Sequence, residues 1–186
     1  MSTAYPAGTD RLRLRPLHAS DAEELERLYG DWEVARWLSR VESPFTRAAA
    51  EAMVTAAEAD LAAERGWFLA IMSLESSRFV GTVSLRLPAR EPWTADARLG
   101  VLGYAINRAD QGNGYAGEAA RCMVQFAFEQ LELQRLRATV LKENAASRKV
   151  LERLGFSMGV ADVRETPRYG GPPRLGDTYF LERSSG

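Results

Sequence analysis

One cysteine, Cys122, and one histidine, His18, are all that the 186 residues contain of either type. A lone cysteine excludes an internal disulfide and a thiolate zinc cluster. A lone histidine excludes a multi-histidine metal centre, so no metal site is expected. Cys122 falls in the middle of a helical pattern among apolar neighbours, where a thiol is packing material. His18 belongs to the polar turn LHASD, and an exposed position without a catalytic task is expected for it. No run approaches the ~18 apolar residues of a membrane span, and the N-terminus carries no signal-peptide pattern. No membrane partner and a cytoplasmic location are therefore expected. Neither sign of charge prevails: 24 basic and 25 acidic side chains nearly cancel, against a broad nucleic-acid surface. What is present, 46% hydrophobic and 26% charged residues, is the composition of a folded globular chain. Its length suits one well-buried domain over residues 1–186.

DRLRLRP, residues 10 to 16, alternates leucine and arginine with the period of a half-buried strand. Ser20, with Glu23 three residues on, forms a capping box for a helix that Gly30 stops. Trp32, Val34, Trp37 and Leu38 follow at helical spacing over residues 32 to 43, and core packing is expected of both tryptophans rather than a ring-stacking site. Thr46 caps a further helix to about Glu64, with Glu51, Glu58 and Glu64 on a solvated face. WFLAIM and FVGTVSLR are strands joined by a tight turn at ESSR. Residues 88 to 96, holding Pro88 and Pro92, read as a loop. LGVLGYAI, residues 99 to 106, is apolar almost throughout and is expected as a central strand. Gly100 and Gly103 within it indicate a bulge or a close backbone approach by a ligand. A helix from about Gly114 to Leu131, the strand RLRATVL, and a helix capped by Asn144 and ending at Gly155 come next. Two last strands, over 156–163 and 178–183, flank the loop RYGGPPRLGD.

The stretch DQGNGYAGEA, residues 110 to 119, carries two patterns at once. Gly112, Gly114 and Gly117 spell the G-x-G-x-x-G of dinucleotide folds, while Gln111, Gly114 and Ala116 spell Q-x-x-G-x-A. Either way, a glycine loop between a strand and a helix offers unpaired N–H groups and a positive dipole end to a diphosphate. The dinucleotide reading needs a parallel sheet continuing downstream, with an acid such as Glu143 after the next strand. Only one more helix and an antiparallel pair are expected to follow, too little for such a domain. A Walker-type loop is excluded because no Lys-Ser/Thr follows the glycines.

ENAASRKVLERLGF, residues 143 to 156, supplies Asn144, Ser147 and Leu154-Gly155-Phe156. With DRLRLRPL, LGYAI and QGNGYAGEA, in this order, it resembles the GNAT N-acetyltransferase superfamily, and within it the ribosomal-protein-alanine (RimJ/RimL-type) branch. The resemblance implies an α/β (α+β) fold with a mixed, mostly antiparallel sheet of about seven strands, about four helices and a splayed central strand pair. It implies acetyl-CoA as cosubstrate. Gln111, Gly112, Asn113, Gly114, Tyr115, Ala116 and Gly117 would hold the CoA diphosphate, the backbone of Tyr104, Ala105 and Ile106 the pantetheine arm, and Asn144 and Ser147 the remainder. The acceptor implied is a primary amine, a protein or peptide N-terminus by resemblance. A small amine such as an antibiotic or polyamine, and a CoA-binding module without turnover, are the alternatives. A homodimer is a fair expectation for the superfamily.

Direct attack by an amine within a ternary complex needs no protein nucleophile, only an oxyanion donor and a proton for the leaving thiolate. Ser147, Val150, Leu151 and Leu154 share one helical stripe, so the Ser147 hydroxyl faces the sheet. It is either a small packing residue or the hydrogen-bond partner of the CoA sulfur, the role of the matching serine in the resembling branch. A carboxylate base is sought after Leu-Gly-Phe, where Glu165 is nearest to the branch's glutamate and Asp162 is its rival. Solvation is the alternative reading of Glu165. Tyr104 and Tyr115 add hydroxyls near the loop that are expected to pack.

Overall fold

Leu12 and Leu14 are buried while Arg11 and Arg13 face water, so the leucine–arginine alternation is indeed a half-buried strand, β1 (Leu12–Pro16). The computed structural model describes residues 4–88 and 98–183. After β1 come helices α1 (Ala22–Gly30), α2 (Trp32–Ala35) and α3 (Arg47–Ala62), then strands β2 (Gly66–Ser73), β3 (Phe79–Arg86) and β4 (Leu99–Ile106). Helix α4 (Tyr115–Glu129), β5 (Arg135–Leu141), α5 (Ala145–Arg153), β6 (Ser157–Glu165) and β7 (Arg174–Glu182) complete the chain. The seven strands form one sheet in the order β1-β2-β3-β4-β5-β7-β6. All neighbours are antiparallel except β4 and β5, the pair joined through α4. The loop expected over residues 88 to 96 lies, apart from Pro88, outside the described residues.

Both faces of the sheet are covered. Met123, Phe126 and Ala127 of α4 and Leu151 of α5 pack with Leu69, Leu85 and Leu136 on one face. Leu25 and Leu28 of α1 and Ala50 and Val54 of α3 cover the other, over Ala70 and Ala105. Cys122 is buried at the edge of the first cluster and its thiol donates to the Gly8 carbonyl at 3.6 Å, in keeping with a packing role. His18 is exposed. Among the described residues no helix is long and apolar enough to cross a membrane.

Four local expectations are revised. The first helix is not capped by Ser20: a one-turn 3-10 helix, Ala19–Asp21, precedes it. Asp21 takes the central place because it is buried and must be satisfied; its carboxylate accepts the Arg15 fork at 2.7 Å twice and the His18 N–H at 2.8 Å. Burial opposes its ionisation, yet Arg15 and that N–H hold the carboxyl below its ordinary pKa. The helical pattern over residues 32 to 43 yields only the four residues of α2. Beyond it the chain is held by the β6–β7 connection instead: Arg174 donates to the Arg36 carbonyl at 2.5 Å and the Arg168 N–H to the Ser39 carbonyl at 2.8 Å. Trp32 is not in the core; it is 49% exposed and meets Tyr169 edge-on at 4.9 Å. The described residues hold five α-helices, in line with the expected four or so once the single-turn α2 is set apart.

Gly100 is the fourth revision. It marks neither a bulge nor a ligand: a Cβ there would lie 2.8 Å from methyl groups of Leu85, Leu133 and Leu136. Three buried side chains would have to yield together. Gly100→Ala is expected to cost about 1–3 kcal/mol as an overpacking change, seen as a melting temperature lower by roughly 2–12 °C. A melting temperature equal to wild type would show that these leucines give way freely.

Candidate active site

The β4–β5 ladder runs only from Leu99–Arg135 to Val101–Arg137. Beyond it β4 stays paired with β3 up to Ile106, and β5 with β7 up to Leu141. Each strand is thus held on its outer flank while the two inner edges part. Backbone groups on parted edges seek partners, and an extended chain with amides can supply them. The opening is a cleft of about 580 Å³. A second hollow of about 1000 Å³ lies beside α1 and the β2–β3 turn, sharing only Val34 and Asp110 with the cleft. Despite its size it lies away from the parted edges and from the helix terminus described next.

At the lower end of the cleft stands the start of α4. Its N-cap is Gly114, at φ +82, and Gly112 has φ +83. Both lie in the left-handed region that glycine enters without strain. A Cβ on Gly112 would meet nothing within 4 Å, so the inner side of the turn is open. The N–H groups of Tyr115, Ala116 and Gly117 lie in the first turn, where no helical carbonyl precedes them. The loop is braced from behind: Gln111 Nε2 donates to the Ile106 carbonyl at 3.1 Å, and Asn113 Nδ2 to the Asp110 carbonyl at 3.1 Å. Asp110 is itself buried and accepts from Arg78 at 3.1 Å.

At the other end, Asn144 caps α5 by accepting the Ser147 N–H at 3.1 Å, which turns Ser147 inward. The Ser147 hydroxyl lies 2.9 Å from the Tyr104 hydroxyl, which also donates to the Ser147 carbonyl at 3.1 Å. Burial pushes Tyr104 up to about 12, more than its bond to Ser147 lowers it. The phenol therefore stays protonated at neutral pH, and the hydroxyl pair has protons to give. It is not a base.

Of the residues expected at the site, Tyr104, Ala105 and Ile106, Gln111 and Gly112, Gly114 through Gly117, and Asn144 and Ser147 all line this cleft. Asn113 and Glu165 do not. The Asn113 side chain is turned to Asp110, and Glu165 accepts from the Ser39 hydroxyl at 2.6 Å, outside the lining. Its rival Asp162 is ion-paired with Lys142. Two other carboxylates line the cleft: Asp110, which is buried and paired with Arg78, and Glu143, held by Arg174 at 3.3 Å. Gly103, expected to mark close backbone approach, is in the lining too. Among the lining residues not anticipated from sequence are Trp37, Lys149 and Arg153. Lys149 and Arg153 stand four apart on α5, a basic i,i+4 pair that a search for phosphate counter-charges could have found. Trp37 left no such signal, because the break in its helix depends on distant partners. It lies between the guanidinium groups of Arg36 and Arg174, at 4.5 and 5.4 Å from its ring centre.

Parted strands, an open glycine turn at a helix start and a serine–tyrosine hydroxyl pair meet in one cleft. Residues 11–157 match the Acetyltransferase (GNAT) domain family. The probable N-acetyltransferase YjcK of Bacillus subtilis is 30% identical over 77% of this chain and 78% of its own. RimJ of Mycobacterium smegmatis, solved in complex with CoA-disulfide, superposes with a TM-score of 0.77 at 22% identity, covering 95% of this chain and 83% of that one. The ribosomal-protein-S5-alanine acetyltransferase of Vibrio fischeri gives 0.74 at 19% identity, covering 94% of each. At these identities the structural likeness is one of fold. The chain belongs to the GNAT acetyltransferase family. It is an acetyl-CoA-dependent N-acetyltransferase.

Proposed function

We propose that the chain acts as one cytoplasmic acetyltransferase domain that acetylates the N-terminal amine of a protein or peptide. The observation that carries the chemistry is the parting of β4 and β5 beyond Val101 and Arg137, which joins the α4 N-terminus to Ser147 in one cleft. In this reading the first-turn N–H groups of α4 and the Gly112–Gly114 turn hold the CoA diphosphate, with Lys149 and Arg153 as counter-charges. The inner edge of β4 pairs with the pantetheine amides and directs an N–H at the thioester oxygen. The acceptor amine attacks the carbonyl carbon, the C–S bond breaks, the Ser147 hydroxyl gives its proton to the departing sulfur, and the proton lost by the amine nitrogen returns through water to Ser147. Of the two glutamates, Glu143 is better situated than Glu165 to relay that proton, because it lines the cleft.

A protein amine as acceptor is supported by the ribosomal-protein names of solved relatives. Thiol release measured against a panel of peptides and small amines, with mass spectrometry of the product, tests it. Turnover confined to small amines would overturn the acceptor. A thermal shift tests the ligand itself: at a hundredfold excess over Kd, linkage gives about 2.7 kcal/mol, a rise of roughly 5–10 °C for a chain of this size. Acetyl-CoA is expected to produce it and NAD is not. Equal shifts with both would reopen the dinucleotide reading of the loop.

A further inference from the structure

Glu118 puts a carboxylate into the first turn of α4, beside the N–H groups proposed to bind a diphosphate. An anion there suits the helix dipole, but it also opposes a second anion arriving at the same end. The structure answers it with one residue from the far end of the chain. Arg11, just before β1, donates from Nε to Glu118 Oε2 at 2.9 Å, and its Nη2 donates to the same oxygen. That Nη2 also donates to the Asn113 carbonyl at 3.3 Å, and the guanidinium lies 5.4 Å from the centre of the Tyr115 ring. The other Glu118 oxygen accepts from the Thr9 hydroxyl. Thr9 is fixed in turn, its hydroxyl accepting the N–H groups of Arg11 at 3.2 Å and Leu12 at 3.0 Å. The N-terminal hook thus grips the glycine turn at Asn113, Tyr115 and Glu118.

We infer that Arg11 is a positioning residue for coenzyme A: it cancels the Glu118 charge and fixes the Asn113–Gly114 turn so that the open N–H groups face the diphosphate. The inference rests on the proposed use of this loop. Its mark is that only the phosphate-bearing part of the donor should feel it. A stapling role alone would weaken all donors alike, since the N-terminal hook would then matter only to the fold.

The experiment measures CoA affinity by calorimetry and kcat/KM with acetyl-CoA and with S-acetyl-pantetheine, which has no diphosphate. Arg11→Ala is expected to raise the Kd for CoA about 5- to 20-fold, and its kcat/KM loss with acetyl-CoA should exceed that with S-acetyl-pantetheine by a similar factor. Adding Glu118→Gln to Arg11→Ala should recover most of the affinity, because the uncancelled charge is gone. Arg11→Lys, which keeps charge without the fork, should fall between wild type and Arg11→Ala. Equal losses with both donors overturn the inference, as does a double variant as weak as the single one. Should Arg11→Ala fail to fold, Arg11→Lys against Glu118→Gln gives the same comparison. Unaltered CoA affinity in Arg11→Ala sinks the role of Arg11 alone; unaltered affinity in a folded Gly114→Val protein, with Arg11 intact, sinks the loop assignment itself.

Discussion

Ser147→Ala is expected to lower kcat about 10- to 1,000-fold while changing the KM for acetyl-CoA much less. The reason is that a hydroxyl assisting a departing thiolate acts when charge develops on sulfur, and not while the thioester merely sits bound. The structure makes the substitution a clean one. Ser147 contributes its backbone N–H, not its hydroxyl, to the Asn144 cap, so α5 keeps its start. Tyr104 keeps an acceptor too, since its hydroxyl already donates to the Ser147 carbonyl at 3.1 Å, and no buried donor is orphaned. A fold change is therefore not expected to confuse the rate. Glu165→Gln is the contrast: its carboxylate accepts from Ser39 at 2.6 Å outside the cleft lining, so the rate should stay within about twofold. Steady-state kinetics on both variants, with the pH–rate profile of Glu165→Gln, decide the matter. Abolished turnover with the glutamine and normal turnover with the alanine would reverse the ranking of the two residues.

Why Ser147 could be singled out from sequence, and Glu165 could not be secured, lies in the range of the forces involved. Ser147 sits on a helix whose apolar stripe and Asn144 cap are local, so its inward direction is set within four residues. The direction of Glu165 depends on how β6 pairs outside β7, with irregularities between Met158 and Val163, and on whether Ser39 comes to meet it. Neither is written into neighbouring residues. The same division runs through the fold. Thr46 caps α3 and the ESSR turn joins β2 to β3, as local chemistry predicts. Ser20 and the helical pattern after Trp32 fail, because Arg15 captures Asp21 and the β6–β7 connection takes the carbonyls of Arg36 and Ser39.

The order of the sheet was legible only through resemblance. The insertion of β7 between β5 and β6 joins residues that no periodicity relates. Gly100 and Gly103 share one strand and the same apparent signal, yet one yields to three leucines and the other lines the cleft. Composition cannot separate them, and at Gly103 too the missing Cβ makes room for a side chain, the Ser84 hydroxyl 2.9 Å away. At Gly112 the context does decide, since a left-handed turn just before a helix start leaves little else for the open space to serve.

Gly114→Val is therefore expected to produce the larger loss in donor binding. Each N–H bond to an ionised oxygen contributes about 1.5–3 kcal/mol, and tenfold in Kd corresponds to about 1.4 kcal/mol. Displacing the diphosphate from even two such groups should raise the Kd for CoA at least 100-fold. Two effects are mixed in this variant. A branched side chain at φ +82 is strained by itself, and it also crowds the helix start, its Cβ 3.7 Å from the Arg11 Nη2 that braces the turn. Gly114→Asn separates them, because asparagine enters the left-handed region more readily and still brings a side chain. If crowding dominates, both variants lose CoA affinity while circular dichroism remains that of the wild type. If strain dominates, Gly114→Val loses stability as well as affinity and Gly114→Asn binds nearly as wild type. Normal CoA affinity in two folded variants would mean that the diphosphate does not approach this turn, and the open space at Gly112 would then need another occupant.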